Sequence, residues 1–298
     1  MKAAWLFPFL LILPGTMRVA GGAEDGLQIS AAARAPSAAV VSMVVTCAEA
    51  PVRVVATAFS RTVAFYPDPD GKTWRGLVGI DLETRPGEYL VTVEAHRQGQ
   101  SALTATHKLQ VSPTRFPTRQ LRVAERYVNP PAATVERIQR ESQRLLAIFE
   151  DVTPRRWSGP FFAPVSDPPT GRFGARSVFN GQSRSPHAGV DFVSLEGTLI
   201  RAPNAGQVAL AEDLFFTGNT VIVDHGLGLY SLFAHLSRVD VERGRAVEAG
   251  ETVGLVGATG RATGPHLHWA VRLGGARVDP FSLIAALAAS SAAHPSPR

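Results

Sequence analysis

His187-Ala188-Gly189-Val190-Asp191 and His266-Leu267-His268-Trp269 are the two stretches on which the reading of this chain turns. Residues two apart in a strand point to the same face. His266 and His268 therefore project side by side into one site, one free to bind a metal and the other to handle protons. His187 and Asp191 complete a two-histidine, one-carboxylate set. Catalytic zinc takes three protein ligands and leaves a fourth position for water, whose pKa it lowers to about 7. The pattern points to a hydrolase. Either motif alone fits a hydrogen-bonded structural histidine equally well; together they favour a metal site. Their order also excludes the His-Glu-x-x-His helix of the common zinc proteases, which the sequence lacks.

Working outward, further short segments accompany these motifs: Phe173-Gly174, Asn180-Gly181, Ser185-Pro186 before His187, Gly197-Thr198, Ala205-Gly206-Gln207-Val208, Val223-Asp224-His225-Gly226, Phe233-Ala234-His235-Leu236, Gly244 with Val247, Gly250-Glu251, Gly257-Ala258-Thr259-Gly260 and Thr263-Gly264-Pro265. With them, the stretch from Phe161 to Leu283 resembles the catalytic domain of lysostaphin-type zinc metallopeptidases, the family-23 peptidoglycan endopeptidases. The resemblance implies that His187, Asp191 and His268 bind Zn2+ and that His235 and His266 are the catalytic histidines. It also implies a twisted antiparallel sheet of barrel-sandwich type, with the metal on the floor of a groove closed by loops. The expected reaction is hydrolysis of amide bonds in the peptide cross-links of peptidoglycan. The chemistry of the residues agrees, because an imidazole is the side chain best matched to proton transfer near neutral pH. His266 is expected to be the main base and His235 its partner. His225, in the Val-Asp-His-Gly segment, is expected to be structural.

The 298 residues are comfortable for two domains. A formal net charge of +5 is modest for this length and compatible with attraction to an anionic surface such as a cell wall. Nucleic acid is not an expected partner, since no zinc-finger spacing, helix-turn-helix signal or basic-aromatic stripe is present. Lys2, the apolar run Ala3 to Leu13 and the small-residue stretch Gly15 to Ala23 read as an export signal over 1–23. Export places the protein in the periplasm or cell envelope, with no stable membrane insertion once the signal is cleaved and an anchor if it is retained. Cys47, the single cysteine, cannot form an internal disulfide, lacks the context of a lipid-anchor site and reads as a buried small hydrophobe.

Residues 24–115 alternate with period two. Val40–Thr46, Val52–Ala58, Thr62–Tyr66, Trp74–Ile80, Tyr89–Ala95 and Thr104–Val111 read as strands, with a turn at Pro67-Asp68-Pro69-Asp70-Gly71. The fold expected here is an immunoglobulin-like β-sandwich without catalytic machinery. His96 and His107 are expected to be exposed strand-end residues. A linker over 116–160 follows, with Thr134 capping a helix to Glu150 whose Val135, Ile138, Leu145, Ile148 and Phe149 share a face. Asp151 to Pro169 reads as a covered, proline-rich connection. The metallopeptidase domain spans 161–284, with strands at Thr220–Asp224, Tyr230–Ala234, Thr252–Val256 and His268–Leu273. The Gly254–Gly260 stretch lacks the lysine of a nucleotide loop and reads as turns beside a substrate groove. The tail 285–298 reads as a short helix end followed by disorder.

Two roles are open to the sandwich. It either covers the groove as an intramolecular inhibitor, a side chain filling the metal's open position, or positions the enzyme on the wall. Asn180 is a second candidate for that open position. Substrate choice is expected to reside in loops such as Asp213–Asn219 and Arg172–Ser185. An active zinc endopeptidase of the cell envelope is therefore the leading expectation. The alternatives are a catalytically silent binding or activator protein on the same fold, and a structural envelope protein in which the sandwich is the working part. The presence of all five residues, His187, Asp191, His235, His266 and His268, speaks against the silent alternative.

Overall fold

The computed structural model describes residues 26–170 and 173–292. The expected export signal and the end of the tail, 293–298, lie outside the described residues. The chain is mostly β. Eight strands come first: β1 (Leu27–Ala31), β2 (Arg34–Pro36), β3 (Val40–Cys47), β4 (Arg53–Ala58), β5 (Arg61–Pro67), β6 (Thr73–Gly79), β7 (Gly87–His96) and β8 (Leu103–Ser112). They pair in the order β1-β3-β6-β5-β4-β7-β8-β2. Alternate residues face inward, and Met43, Val45, Val91, Val93 and Leu109 are buried in the resulting core. Cys47 is buried there as a free thiol. His107 departs from the expectation: it falls on the inward face of β8 with Ala105, Leu109 and Val111, is buried, and places Nε2 3.0 Å from the Ala32 carbonyl. His96 ends β7 and is half-buried beside Glu94.

A short strand β9 (Thr118–Leu121) and helix α1 (Ala132–Glu150) follow. The helix starts two residues before the expected Thr134 cap. Pro131 holds φ at −56° and sits at the N-cap without a side-chain cap bond, and Thr134 lies inside the first turn with its N–H on the Pro131 carbonyl. Phe149 is buried with Leu145 and Ile148 beside it, whereas Val135 stays exposed. The helix is also held by polar contacts along its length. Arg137 reaches Asp213, Arg144 reaches Glu212, and Glu141 accepts the Phe215 N–H.

The second half is built on β10 (Arg176–Phe179), β11 (Gln182–Ser183), β12 (Val190–Phe192), β13 (Leu199–Arg201), β14 (Gly206–Leu214), β15 (Gly218–Gly226) and β16 (Leu229–Leu236). They are followed by β17 (Arg238–Val239), β18 (Ala246–Val247), β19 (Thr252–Leu255), β20 (Leu267–Leu273), β21 (Ala276–Val278) and α2 (Pro280–Ala292). The main sheet runs β12-β20-β16-β15-β14-β18, with β21 also paired to β20. The strands β15 and β16 are buried almost throughout, so their apolar residues run on without alternation. One face packs Val221, Val223, Phe233, Trp269 and Val271 into the larger core. The other face carries Ile222, Leu232, Ala234 and Ala270 beneath Phe149 of α1. Because His268 and Ala270 alternate to the same side of β20, the histidines occupy the uncovered end of the face that α1 protects.

The sandwich docks at the far end of β20. Arg277 donates to both Asp81 oxygens at 2.6 and 3.0 Å, Val40 N–H donates to Ser282 Oγ at 2.8 Å, and Arg155 lies 4.0 Å over the Tyr66 ring. His268 and Leu273 are five residues apart on that strand, so the docking end lies about 17 Å from the ligand motif. Of the tail read over 285–298, the part as far as Ala292 belongs to α2. Leu283 and Leu287, one turn apart on this helix, are buried in the larger core, and alanine, abundant here, is the strongest helix former.

Candidate active site

β12 and β20 are antiparallel neighbours with Asp191 opposite His268, and this pairing brings the two motifs together. His187 reaches the same point from the turn before β12. His187 Nε2 lies 3.0 Å from His268 Nδ1, and each of these nitrogens lies 2.9 Å from Asp191 Oδ1. Gly189 lets the strands approach this closely, since a Cβ there would stand 2.5 Å from His268 Cε1 and 2.7 Å from the Trp269 carbonyl oxygen.

The three atoms suit a divalent metal. Without one, Oδ1 accepts from both rings only if two N–H groups face each other across 3.0 Å. A cation shared by three lone pairs removes that conflict. Ligand atoms about 2.0–2.1 Å from a tetrahedral zinc lie about 3.3 Å from one another, close to the spacing found, and two imidazoles with one carboxylate are a suitable donor set. Burial raises the cost of charge on Asp191, yet hydrogen bonds from His187 and His268 hold its carboxyl well below the usual carboxylate range. Burial pushes the His268 imidazole down. Both shifts favour the deprotonated forms that bind metal.

Two more histidines adjoin this triad. The His235 ring centre lies 4.6 Å from that of His266 and 6.2 Å from that of His268. The Nδ1 of His235 is 2.8 Å from the Thr259 carbonyl, and that of His266 is 2.8 Å from the Gly264 carbonyl. A carbonyl only accepts, so both Nδ1 atoms carry hydrogen, and in the neutral form of each ring the lone pair lies on Nε2. Burial, with His268 and His266 nearby, pushes His235 down to about 3. His235 is therefore neutral at physiological pH. Its backbone has φ of 68°, with the N–H donating to the Thr217 carbonyl.

All five residues line one cavity of about 870 Å³. Among the described residues, none of 26–115 lines it, whereas Leu121 and Val123 from the connecting segment do. That segment runs beside the groove as a strap. Its β9 pairs in parallel with β10, Tyr127 donates to the Gly260 carbonyl at 2.6 Å, and Arg184 donates to the Val128 carbonyl at 2.7 Å. Asn180 is absorbed by the strap: its side chain accepts from Val123 N–H and donates to the Val123 carbonyl, at 3.1 and 3.0 Å. His225 lies outside the cavity. Its Nδ1 is 2.8 Å from the Ala205 carbonyl and Nε2 is 3.0 Å from Ser231 Oγ, and burial lowers it to about 4. Sequence reasoning missed the strap, Arg184 and Arg261. The arginines stand within or beside quoted motifs but follow no spacing rule.

A protein assigned to peptidase M23 from Pseudomonas aeruginosa, known from its crystal structure, is 35% identical to this chain, with 82% of this chain and 93% of that one matched at a TM-score of 0.65. The chain belongs to peptidase family M23. The family model matches residues 185–280. Curated relatives include the DD-carboxypeptidase/endopeptidase Mpg of Neisseria meningitidis, 40% identical over 97 residues, or 33% of this chain and 22% of that protein. The peptidoglycan DD-endopeptidase ShyA of Vibrio cholerae is 35% identical over 106 residues, 36% of this chain and 25% of that protein. The matches thus span about a quarter or less of these relatives' lengths. The M23 match contains His187, Asp191, His235, His266 and His268.

Proposed function

We propose that this M23 peptidase is an exported zinc endopeptidase that hydrolyses amide bonds in the peptide cross-links of peptidoglycan. The observation that carries the reading is the convergence of His187 Nε2, His268 Nδ1 and Asp191 Oδ1 beside two histidines whose neutral rings carry the lone pair on Nε2. The names of Mpg and ShyA support the substrate. In this reading His187, Asp191 and His268 hold the metal. Zinc bound there supplies Lewis acidity toward water and toward the scissile carbonyl.

The remaining steps belong to the histidines. His266 Nε2 accepts the proton of the attacking water, and its Nδ1–H on the Gly264 carbonyl fixes the tautomer needed for that task. His235, kept neutral by burial with its Nδ1–H on the Thr259 carbonyl, orients the attacking water by accepting from it at Nε2, and His266 returns the proton it has taken to the departing amine. The groove walls hold the peptide stem on either side. We further propose a signal over 1–23, a β-sandwich domain over 24–115, a linker over 116–160 and the peptidase domain from 161, with α2 as part of its core. Action in the cell envelope follows from the substrate. Among the described residues no helix is long and apolar enough to cross a membrane. For the sandwich we favour positioning over inhibition, a preference supported by the groove lining, to which 26–115 contribute nothing.

The test is release of new amines from purified sacculi by the mature zinc-loaded protein and by His266→Ala, with products identified by mass spectrometry. Release by the wild type alone is expected. No release by either, with zinc bound, would leave the silent binding or activator role in its place.

A further inference from the structure

The groove holds a cation that the hydrolytic machinery does not use. Arg261 follows Gly260 in the turn leading to His266, and its backbone N–H is fixed on the Phe216 carbonyl at 2.8 Å. Its guanidinium carbon lies 4.7 Å from the centre of the Phe179 ring and 4.6 Å from that of Phe216. Both rings line the cavity with it. Among the described residues, no carboxylate pairs with this guanidinium and no hydrogen bond from it is found. The aromatic rings satisfy the flat faces of the cation and leave its N–H edge unsatisfied.

The local electrostatics make this arrangement costly. Burial lowers the Arg261 pKa, and the nearby positive charge of Arg184 lowers it further. Asp191 is the sole carboxylate among the described residues lining the cavity, and it is engaged by His187 and His268. Two arginines, one of them already donating to the Val128 carbonyl, therefore share the cavity with one committed carboxylate. The turn is also braced from outside: Tyr127 donates to the Gly260 carbonyl, so the strap holds the backbone of the residue just before Arg261. A partly buried, stacked and braced arginine with its donor edge open to a peptidase groove is arranged for an anion. The anion that a planar donor fork matches is a carboxylate.

We infer that Arg261, flanked by Arg184, is a substrate-carboxylate subsite that selects peptides bearing a free carboxylate near the scissile amide. Its identification as a substrate site rests on the peptidase reading above, and the test keeps the two separable. Full-length zinc-loaded wild type, R261Q and R261K are assayed on a defined cross-linked stem-peptide dimer with free carboxylates, and on the same dimer with its carboxylates amidated. In the wild type, amidation should lower kcat/KM about 10- to 100-fold, the scale of a charge-assisted hydrogen-bond pair. R261Q should lose a similar factor on the free dimer and less than about twofold on the amidated one, with R261K intermediate.

An equal loss for R261Q on both dimers, or no effect of amidation on the wild type, overturns the subsite. The amidation arm leaves the protein untouched, so a folding defect in a variant cannot mask the answer. A binding arm uses metal-free wild type and R261Q with both dimers, which removes capture of the carboxylate by the metal. If neither dimer is cleaved, the peptidoglycan reading fails and binding decides the subsite. Preference for the free carboxylate that R261Q abolishes sustains it, and equal binding of the two dimers overturns it.

Discussion

Gly189→Ala tests the proposed metal centre without deleting any of its proposed ligands. The added Cβ would stand 2.5 Å from His268 Cε1, 2.6 Å from His268 Nε2 and 2.7 Å from the Trp269 carbonyl oxygen. Carbon atoms pack comfortably at about 3.5–4.0 Å, so relief demands a displacement of about 1 Å. The Trp269 carbonyl belongs to the paired strand opposite Val190 and is the harder group to move. The imidazole therefore yields, and with it the Nδ1 that stands 2.9 Å from Asp191 Oδ1. Metal sites tolerate ligand errors of about 0.2 Å. Loss of a mere outer partner costs about 10–100-fold in metal affinity; displacement of a ligand should cost at least about 100-fold, or about 2.7 kcal/mol. Gly189 does not have a left-handed φ, so alanine brings no backbone penalty there. Zinc affinity is measured by competition with a chromophoric chelator, and thermal unfolding of the metal-free proteins reports any damage to the strand pair. A folded Gly189→Ala protein that binds zinc within about threefold of the wild type, against the expected loss, would refute the assignment of His268 to the metal.

The remaining expectations concern the histidines, the strap and the domain contact. His235→Ala and His266→Ala should each lower kcat about 10²–10⁴-fold while retaining zinc, as shown by metal analysis of the purified variants; loss of zinc from either would move that residue into the ligand set. His225→Ala leaves the Ala205 carbonyl and Ser231 hydroxyl without their partner, so calorimetry should show a loss of about 1–3 kcal/mol in stability with zinc affinity unchanged. A chain beginning at 116 should match the full-length turnover, whereas one beginning at 151 lacks the strap and α1, uncovers Ile222, Leu232 and Ala234, and should aggregate or lose activity. Greater activity of the 116 chain than of the full chain would support inhibition by the sandwich. The Asp81–Arg277 pair should make stability acid-sensitive. Burial opposes its charge, but hydrogen bonds from Arg277 hold Asp81 down at about 2, against an ordinary 3.8. A depressed carboxylate pKa stabilises the fold above the unfolded value and loses that contribution as pH falls through the folded value. The difference in melting temperature between wild type and Arg277→Gln should thus be steady near neutrality and close between about pH 4 and 2; a gap unchanged at pH 2 would remove Asp81 from the account.

The N-terminal strands were legible because one face of each was buried and the other was not. The six sandwich strands read from alternation lie within one or two residues of β3 to β8, because each is half-buried. His107 shows the same rule neglected: its parity with Ala105, Leu109 and Val111 already placed it inward, and the Ala32 carbonyl offers the partner that makes its burial tolerable. Strands β2 and β9, of three and four residues, are too short to display a period. β9 is a strand through its pairing with β10, whose residues lie more than fifty positions later, and no local pattern reports so distant a partner. The candidate metal-binding residues were legible in part: spacing singled out His187, Asp191 and the His266/His268 pair, and the choice of His268 came from the family resemblance. Arg261 was not, because the two rings against which it lies converge with it only in space.

His235 shows why the catalytic face needs the rest of the sheet. A non-glycine residue in the left-handed region costs about 1–2 kcal/mol, and no feature of Phe233-Ala234-His235-Leu236 favours that conformation. The pairing of β15 with β16 shifts register between Asn219 and Val221, opposite this residue. The extra residue allows the His235 N–H to reach the Thr217 carbonyl while its Nδ1 reaches Thr259. Thr259 is in turn tied to both strands through Asn219 N–H and the Leu236 carbonyl. Three segments thus fix one backbone conformation that none would adopt alone, and the outcome is an imidazole turned toward His266 and His268 rather than continuing the alternation of β16. The buried breadth of β15 and β16 holds that geometry in place, which links the uninterrupted apolar run of these strands to the position of a single imidazole of the candidate site.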